Sequence, residues 1–132
     1  MCHAADMMAP MKRLFPLVLL PLLLAGCGTM NNLTPTQQKR SATGLYPFEV
    51  EWVSRQQSLR PESIKAYVVI DFDYYPMQLT PMLPHRWETL VPIAADKKNV
   101  NFRYKFDYEY NAIPVPANDS TLSPPYQLHI VN

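Results

Sequence analysis

Few side chains in this sequence are candidates for covalent or acid–base chemistry, and Cys27 has the most informative surroundings. The chain has two cysteines and three histidines. Two basic residues precede an apolar stretch over residues 14–25, and the small residues Ala25 and Gly26 come directly before Cys27. A positive segment, a short apolar segment and small residues at a cleavage point are the order of a secretory signal peptide. We therefore predict that residues 1–26 are removed and that the mature chain begins at Cys27.

Two alternatives to this interpretation are a transmembrane helix and an ordinary secretory signal with an incidental cysteine. A spanning helix needs about 20 apolar residues, more than residues 14–25 supply. Pro16 and Pro21 also disfavour a continuous helix, because proline lacks a backbone donor and clashes with the preceding turn. The small residues immediately before Cys27, with Leu24 ahead of them, argue against an incidental cysteine.

Leu24-Ala25-Gly26-Cys27 resembles the lipobox of bacterial lipoproteins, in which signal peptidase reads the first three residues and the cysteine is lipidated. The resemblance implies a diacylglyceryl group on the Cys27 sulfur and a further acyl chain on its amine. Two or more chains anchor a protein firmly, since each buried methylene contributes about 0.8 kcal/mol. Gly28 stands where an aspartate would retain such a protein in the inner membrane. The resemblance therefore implies an outer-membrane anchor, with the protein facing the periplasm by default and exposure on the cell surface as the alternative.

The first ten residues lack the positive charge that begins a signal peptide. Met11-Lys12-Arg13 is a far better start, and we predict that translation begins at Met11. No function is assigned to Cys2 or His3.

Elsewhere, the residue types needed for catalysis or metal binding are sparse. His85 lies in a proline-rich segment, and His129 is on the polar side of the last apolar alternation. Asp71 and Asp73 flank Phe72, and a paired-carboxylate site is conceivable there. A metal site needs several converging ligands, usually with a close pair on one element. We predict a protein that is not an enzyme and needs no metal or cofactor, with a small enzyme or metal protein using Asp71, Asp73 or His85 as a remote alternative.

Charge and cysteine content exclude further classes. Loss of residues 1–26 leaves ten basic and ten acidic residues, without a basic stripe, so nucleic-acid binding is not expected. Cys27 is then the only cysteine, and an intramolecular disulfide is impossible. The fold must be stabilised by a packed core.

The mature chain divides into a polar segment and a strand-rich segment. Residues 27–44 are polar and aperiodic, which predicts a lipidated N-terminus followed by a flexible tether; a first ordered strand there is the alternative. From residue 45 to residue 132, apolar and polar residues alternate with a period of two, which is typical of half-buried strands. The clearest run is Val100, Phe102, Tyr104, Phe106, Tyr108 and Tyr110.

Turn-forming residues separate these runs. Residues 96–99 predict a hairpin loop, and residues 55–62 and 112–125 predict longer loops. Six or seven short strands with such punctuation predict an all-β fold, a small immunoglobulin-like β-sandwich over residues 45–132.

A further resemblance is carried by Arg86-Trp87-Glu88-Thr89-Leu90-Val91-Pro92 and by Val100-Asn101-Phe102-Arg103-Tyr104-Lys105-Phe106-Asp107-Tyr108. This pair of segments, about a quarter of the chain, resembles early-set immunoglobulin-like domains, including starch- and glycogen-binding modules. The resemblance implies the sandwich fold. The sequence Asp107-Tyr108-Glu109-Tyr110 departs from those modules, which usually have a tight Asp-Gly turn there.

The aromatic content favours binding over catalysis. Tyr67, Tyr74 and Tyr75 fall partly outside the core-facing sets and are candidate ligand contacts, because exposed tyrosines often contact sugars or proteins. The alternative is that tyrosine rings line the core and only their hydroxyls reach water. We expect an outer-membrane lipoprotein that acts as a non-catalytic interaction or structural module, with an envelope protein as partner. A glycan-binding module using exposed aromatic residues is the second hypothesis.

Overall fold

The computed structural model describes residues 28–132, which form an almost entirely β structure. The predicted signal peptide and Cys27 lie outside the described residues. Within residues 28–132 the strands are β1 (Thr29–Asn32), β2 (Gln37–Lys39), β3 (Leu45–Val53), β4 (Lys65–Ile70), β5 (Asp73–Pro76), β6 (Gln78–Leu79), β7 (Arg86–Pro92), β8 (Asn99–Tyr110), β9 (Ala117–Leu122) and β10 (Tyr126–Val131). A 3₁₀ turn, Pro61–Ser63, precedes β4.

The strands form two sheets packed as a sandwich, which confirms the predicted fold class. One sheet has the order β1-β3-β7-β6 and the other has the order β2-β10-β8-β4-β5, with β9 also paired to β8. β2 pairs with β10 in parallel, and the other pairings are antiparallel. The first two strands therefore contribute to different sheets, and this order is compatible with an immunoglobulin-like domain.

The core is made by the alternating residues that the sequence indicated. Every second residue of β8 from Val100 to Tyr108 is buried, and Trp52 and Trp87 are buried beside them. The Trp52 and Phe106 rings stack with centroids 4.4 Å apart. Phe72 lies in the turn between β4 and β5 and is 95% exposed.

Residues 27–44, which were predicted to include a flexible tether, contain two short strands, β1 and β2, in agreement with the alternative of an ordered strand there. Polar side chains of this segment form hydrogen bonds with the rest of the sandwich. The Tyr104 hydroxyl lies 2.6 Å from Asn32 Oδ1, 2.7 Å from Thr34 Oγ1 and 3.0 Å from the Glu49 carbonyl oxygen. The Glu49 amide donates to Thr34 Oγ1 at 2.9 Å. A buried polar cluster, which composition does not reveal, therefore fixes residues 32–34.

Two predicted connections also differ from the structure. Residues 96–99 do not close a hairpin, since β7 and β8 belong to opposite sheets. The predicted loop over residues 112–125 contains β9, a polar strand that pairs with β8 along its whole length.

β9 and β10 form one interrupted strand beside β8. Two β8 residues, 103 and 104, face three residues, 123–125, which is a β-bulge. The buried Ser123 hydroxyl accepts a hydrogen bond from the Tyr104 amide at 2.9 Å and donates to the Pro124 carbonyl at 2.8 Å. The serine thereby satisfies a backbone donor where Pro124 and Pro125 interrupt regular pairing.

Strand directions divide the loops between two ends of the sandwich. Thr29 pairs with Val53, Glu51 with Arg86, and Tyr110 with Ala117. The loops over residues 54–64, 80–85 and 111–116 therefore share one end with residue 28, and we call it the Gly28 end. The opposite end, here the Asn132 end, carries the β4–β5 turn, residues 93–98 and the last residue of the chain.

Candidate functional site

Tyr67 and Tyr74 come together on the solvent side of the six-stranded sheet. Tyr67 is half-buried on β4, Tyr74 is 52% exposed on β5, and their ring centroids are 5.7 Å apart at an interplanar angle of 72°. Lys105 of β8, the cross-strand partner of Tyr67, places its Nζ 5.2 Å from the Tyr74 ring centroid. Together with Lys65 and Asp107, these residues define the outer tyrosine face.

The period of two explains why these side chains share a face. On β4, Ala66 and Val68 point into the core, so Lys65 and Tyr67 point outward. On β5, Tyr74 pairs with Val69 and has the same orientation. Neighbouring strands thus present an aromatic pair beside two cations.

A groove of about 600 Å³ adjoins the outer tyrosine face at its β9 side. Its lining is mainly polar. The lining residues are Ser63, Lys65, Tyr67, Asp107, Tyr108, Glu109, Asn118, Asp119 and Ser120. Hydroxyl, amide, ammonium and carboxylate groups beside a tyrosine ring are suited to a polar ligand with several hydroxyl or amide groups.

Two carboxylates of the groove, Asp107 and Glu109, form ion pairs. Asp107 Oδ1 lies 3.3 Å from Lys105 Nζ, and Glu109 Oε1 lies 3.3 Å from Arg60 Nη1. Burial raises the pKa of Tyr108, and the nearby Asp119 carboxylate raises it further. Tyr108 therefore stays protonated at neutral pH and is a neutral hydrogen-bonding group in the groove wall.

Tyr75 is not part of this face. It pairs with the buried Val68, and its ring packs against the core. The three predicted contact residues therefore divide into an exposed pair, Tyr67 and Tyr74, and an inward-facing Tyr75, as alternation along β5 requires.

The residues of the remote catalytic alternative lie at opposite ends of the sandwich. Asp71 is in the β4–β5 turn, Asp73 begins β5, and both border a groove of about 370 Å³ at the Asn132 end. His85 is exposed in the 80–85 loop at the Gly28 end, and its carbonyl oxygen accepts a hydrogen bond from the Trp52 amide. His129 is exposed on β10 and hydrogen-bonds Asn99.

Sequence reasoning missed the polar half of the groove. Asn118, Asp119 and Ser120 belong to β9, which was predicted as loop because residues 112–125 contain four prolines together with Asn118 and Asp119, and these residue types are depleted in strands. Lys105 and Asp107 occupy the polar positions of the alternation in β8. That pattern is the sequence feature that could have indicated that they share a face with Tyr67.

Among residues 28–132, no three His, Cys, Asp or Glu side chains lie close enough to hold one metal ion. Within the same residues, no helix has the length and apolar character needed to cross a bilayer.

No protein-family model matches the chain, and no curated protein matches it in sequence.

Proposed function

We propose that this protein is an outer-membrane lipoprotein, anchored by lipid on Cys27, whose sandwich is a non-catalytic module that binds an envelope protein through the outer tyrosine face. The single observation that carries the binding role is the Tyr67–Tyr74 pair with Lys105 over one ring. Signal-like residues 14–25 and the sequence Leu24-Ala25-Gly26-Cys27 support the anchor.

The aromatic pair has features that suit a preorganised protein contact. Tyrosine supplies a large apolar ring and a polar hydroxyl at a low cost in conformational entropy, and such residues dominate many interfaces. The contact between Lys105 and the Tyr74 ring restrains both side chains before a partner arrives. A membrane-bound partner meets an anchored module at high effective concentration, so a weak contact suffices.

Site-specific photocrosslinking in cells tests the binding role. A photoreactive phenylalanine replaces Tyr74, and a control replaces Leu90, which is 57% exposed on the outer side of the other sheet. The proposal predicts one dominant envelope protein crosslinked from position 74 and absent from position 90. Crosslinks at both positions to the same mixture of abundant proteins would contradict it.

The polar groove favours glycan binding as a second candidate. Sugars are bound by hydrogen-bonding side chains beside an aromatic ring, and the groove supplies Asn118, Ser120 and Asp107 beside Tyr67. Titration with peptidoglycan fragments and soluble glucans, followed by intrinsic fluorescence, tests it. Binding that Tyr67→Ala abolishes and Phe72→Ala preserves would favour the glycan; the absence of any response would remove it.

A further inference from the structure

The Gly28 end of the sandwich exposes large apolar side chains at the tips of two loops. Met82 is 97% exposed in the 80–85 loop, and Ile113 is 98% exposed in the 111–116 loop. Leu83 and Val115, next to these tips, are exposed as well. Single exposed apolar residues are ordinary on protein surfaces, but here four lie on two loops at one end.

The 80–85 loop is held in a defined turn that points Met82 outward. The Leu83 amide donates to the Thr80 carbonyl at 3.1 Å, and the Arg86 amide donates to the Leu83 carbonyl at 3.3 Å. Met82 itself has a φ of 65°, an uncommon conformation for a residue with a side chain. A turn that holds a nearly fully exposed methionine is suited to contact something outside the domain.

The second loop is braced from its base. The Asn111 amide donates to the Ser58 carbonyl at 2.9 Å, which joins the 111–116 loop to the 54–64 loop. Pro114 and Pro116 flank Val115 and restrict its backbone. Ile113 and Val115 are therefore presented on a stiffened segment.

The chain enters the sandwich at this same end. A Cβ on Gly28 would lie 2.6 Å from the Val53 carbonyl oxygen and 3.1 Å from the Ser54 Cα, so the backbone at residue 28 is packed against the end of β3. Once residues 1–26 are removed, as predicted, Cys27 is the one residue that precedes Gly28. Cys27 is therefore the residue next to the packed end, with no spacer between them.

Charge at this end does not oppose a lipid surface. In the three loops of the Gly28 end, the sole carboxylate is that of Glu62, and its Oε2 lies 3.9 Å from Arg60 Nε. Arg55 and Arg60 are the cations of these loops. Apolar tips with basic residues nearby are the composition of interfacial membrane contacts.

We propose that the Gly28 end rests directly on the bilayer, with Met82, Leu83, Ile113 and Val115 inserted at the lipid interface. This inference rests on the anchor of the proposed function and adds an orientation to it. The strands then run away from the membrane, and the outer tyrosine face is presented sideways to partners close to the lipid. A second copy of this chain on the same tips is the other outcome that the test distinguishes.

Fluorophore quenching in vesicles tests the proposal. The full chain with Cys2→Ser as background receives Met82→Cys or Ile113→Cys, and the matched control receives Phe72→Cys, equally exposed at the Asn132 end. Each protein is labelled with a small environment-sensitive dye and reconstituted into phosphatidylethanolamine–phosphatidylglycerol vesicles. The vesicles contain lipids spin-labelled at the depth of interfacial insertion, about 5–10 Å. Labelled background protein gives the contribution of Cys27.

The proposal predicts quenching at positions 82 and 113 and none at position 72. Vesicle flotation without quenching at either loop overturns the docking and leaves the anchor intact. If the protein does not float and mass spectrometry shows an unmodified Cys27, the lipid anchor is refuted. The labelled chain is then titrated with the same vesicles. Quenching at positions 82 and 113 but not at position 72 supports the docking, and no quenching at positions 82 and 113 overturns it. Dye–dye quenching between copies at 82, without lipid quenching, assigns the tips to a second copy and also overturns it.

Discussion

At the scale of single residues, the Tyr104 hydroxyl joins three parts of the chain that are remote in sequence. Its neighbours are Asn32, Thr34 and the Glu49 carbonyl, so one buried oxygen links the segment between β1 and β2 to β3 and β8. Buried polar groups are costly when unpaired, which makes this cluster a strong determinant of where the first residues of the domain lie.

Tyr104→Phe is expected to lower the free energy of unfolding by about 1–3 kcal/mol, because it leaves buried acceptors without their donor. Tyr46→Phe is the matched control: Tyr46 is equally buried, but its hydroxyl accepts a single hydrogen bond, from the Ser41 amide. Urea denaturation of the protein in detergent, followed by tryptophan fluorescence, measures both. Equal losses for the two variants would mean that the cluster has no special role.

The same hydroxyl predicts a loss of stability in alkali. Burial raises the pKa of Tyr104 above its usual value, whereas the pKa of the same hydroxyl in the unfolded chain is about 10. The contribution of Tyr104 to the free energy of unfolding is therefore fully present below about pH 10. Above that pH it falls by up to about 1.4 kcal/mol per pH unit, because the Tyr104 hydroxyl loses its proton in the unfolded state first. Denaturation midpoints between pH 9 and pH 11 should fall less steeply for Tyr104→Phe, and coinciding slopes would count against this.

At the scale of elements, β8 organises the molecule. It pairs with β10 and β9 on one side and with β4 on the other, while its inner residues form much of the core. Its outer residues supply Lys105 and Asp107 to the outer tyrosine face. Fold and candidate site therefore depend on the two opposite phases of one strand.

Two substitutions separate these phases. Phe106→Ala is expected to lower the free energy of unfolding by about 3–5 kcal/mol. The Phe106 ring is fully buried and stacks on Trp52, so its removal leaves a cavity. Arg103→Ala, on the outer side of the same strand, should cost no more than about 0.5 kcal/mol. Thermal or urea unfolding gives both values. Similar costs for the two would refute the phase of β8.

The sequence predicted the elements that alternate strongly and missed those that do not. β3, β4, β7, β8 and β10 each have a buried face, and the period of two finds them. β1, β2 and β9 are held by backbone pairing and by polar side chains such as Asn32, so composition alone assigned them to a tether and a loop. The groove was missed for the same reason, because one of its walls is β9.

At the scale of the whole molecule, the two ends of the sandwich have different characters. The Gly28 end holds the residue that follows the predicted lipidated Cys27 and exposes Met82 and Ile113, and the Asn132 end carries Asp71, Asp73 and Asn132. A strand that begins at Thr29 leaves no spacer between Cys27 and the domain. We propose that the domain is consequently held against the membrane and does not swing on a tether.

Mass spectrometry of the mature N-terminus tests the central claim most directly. The protein is expressed from its native start codon in a Gram-negative host, extracted from outer membranes and digested. The mass of its N-terminal peptide is then measured. The account predicts a peptide that begins at Cys27 and carries a diacylglyceryl group, unchanged in Cys2→Ser and lost in Cys27→Ser. A mature chain that begins elsewhere, or an unmodified Cys27 in membrane-bound protein, would contradict it.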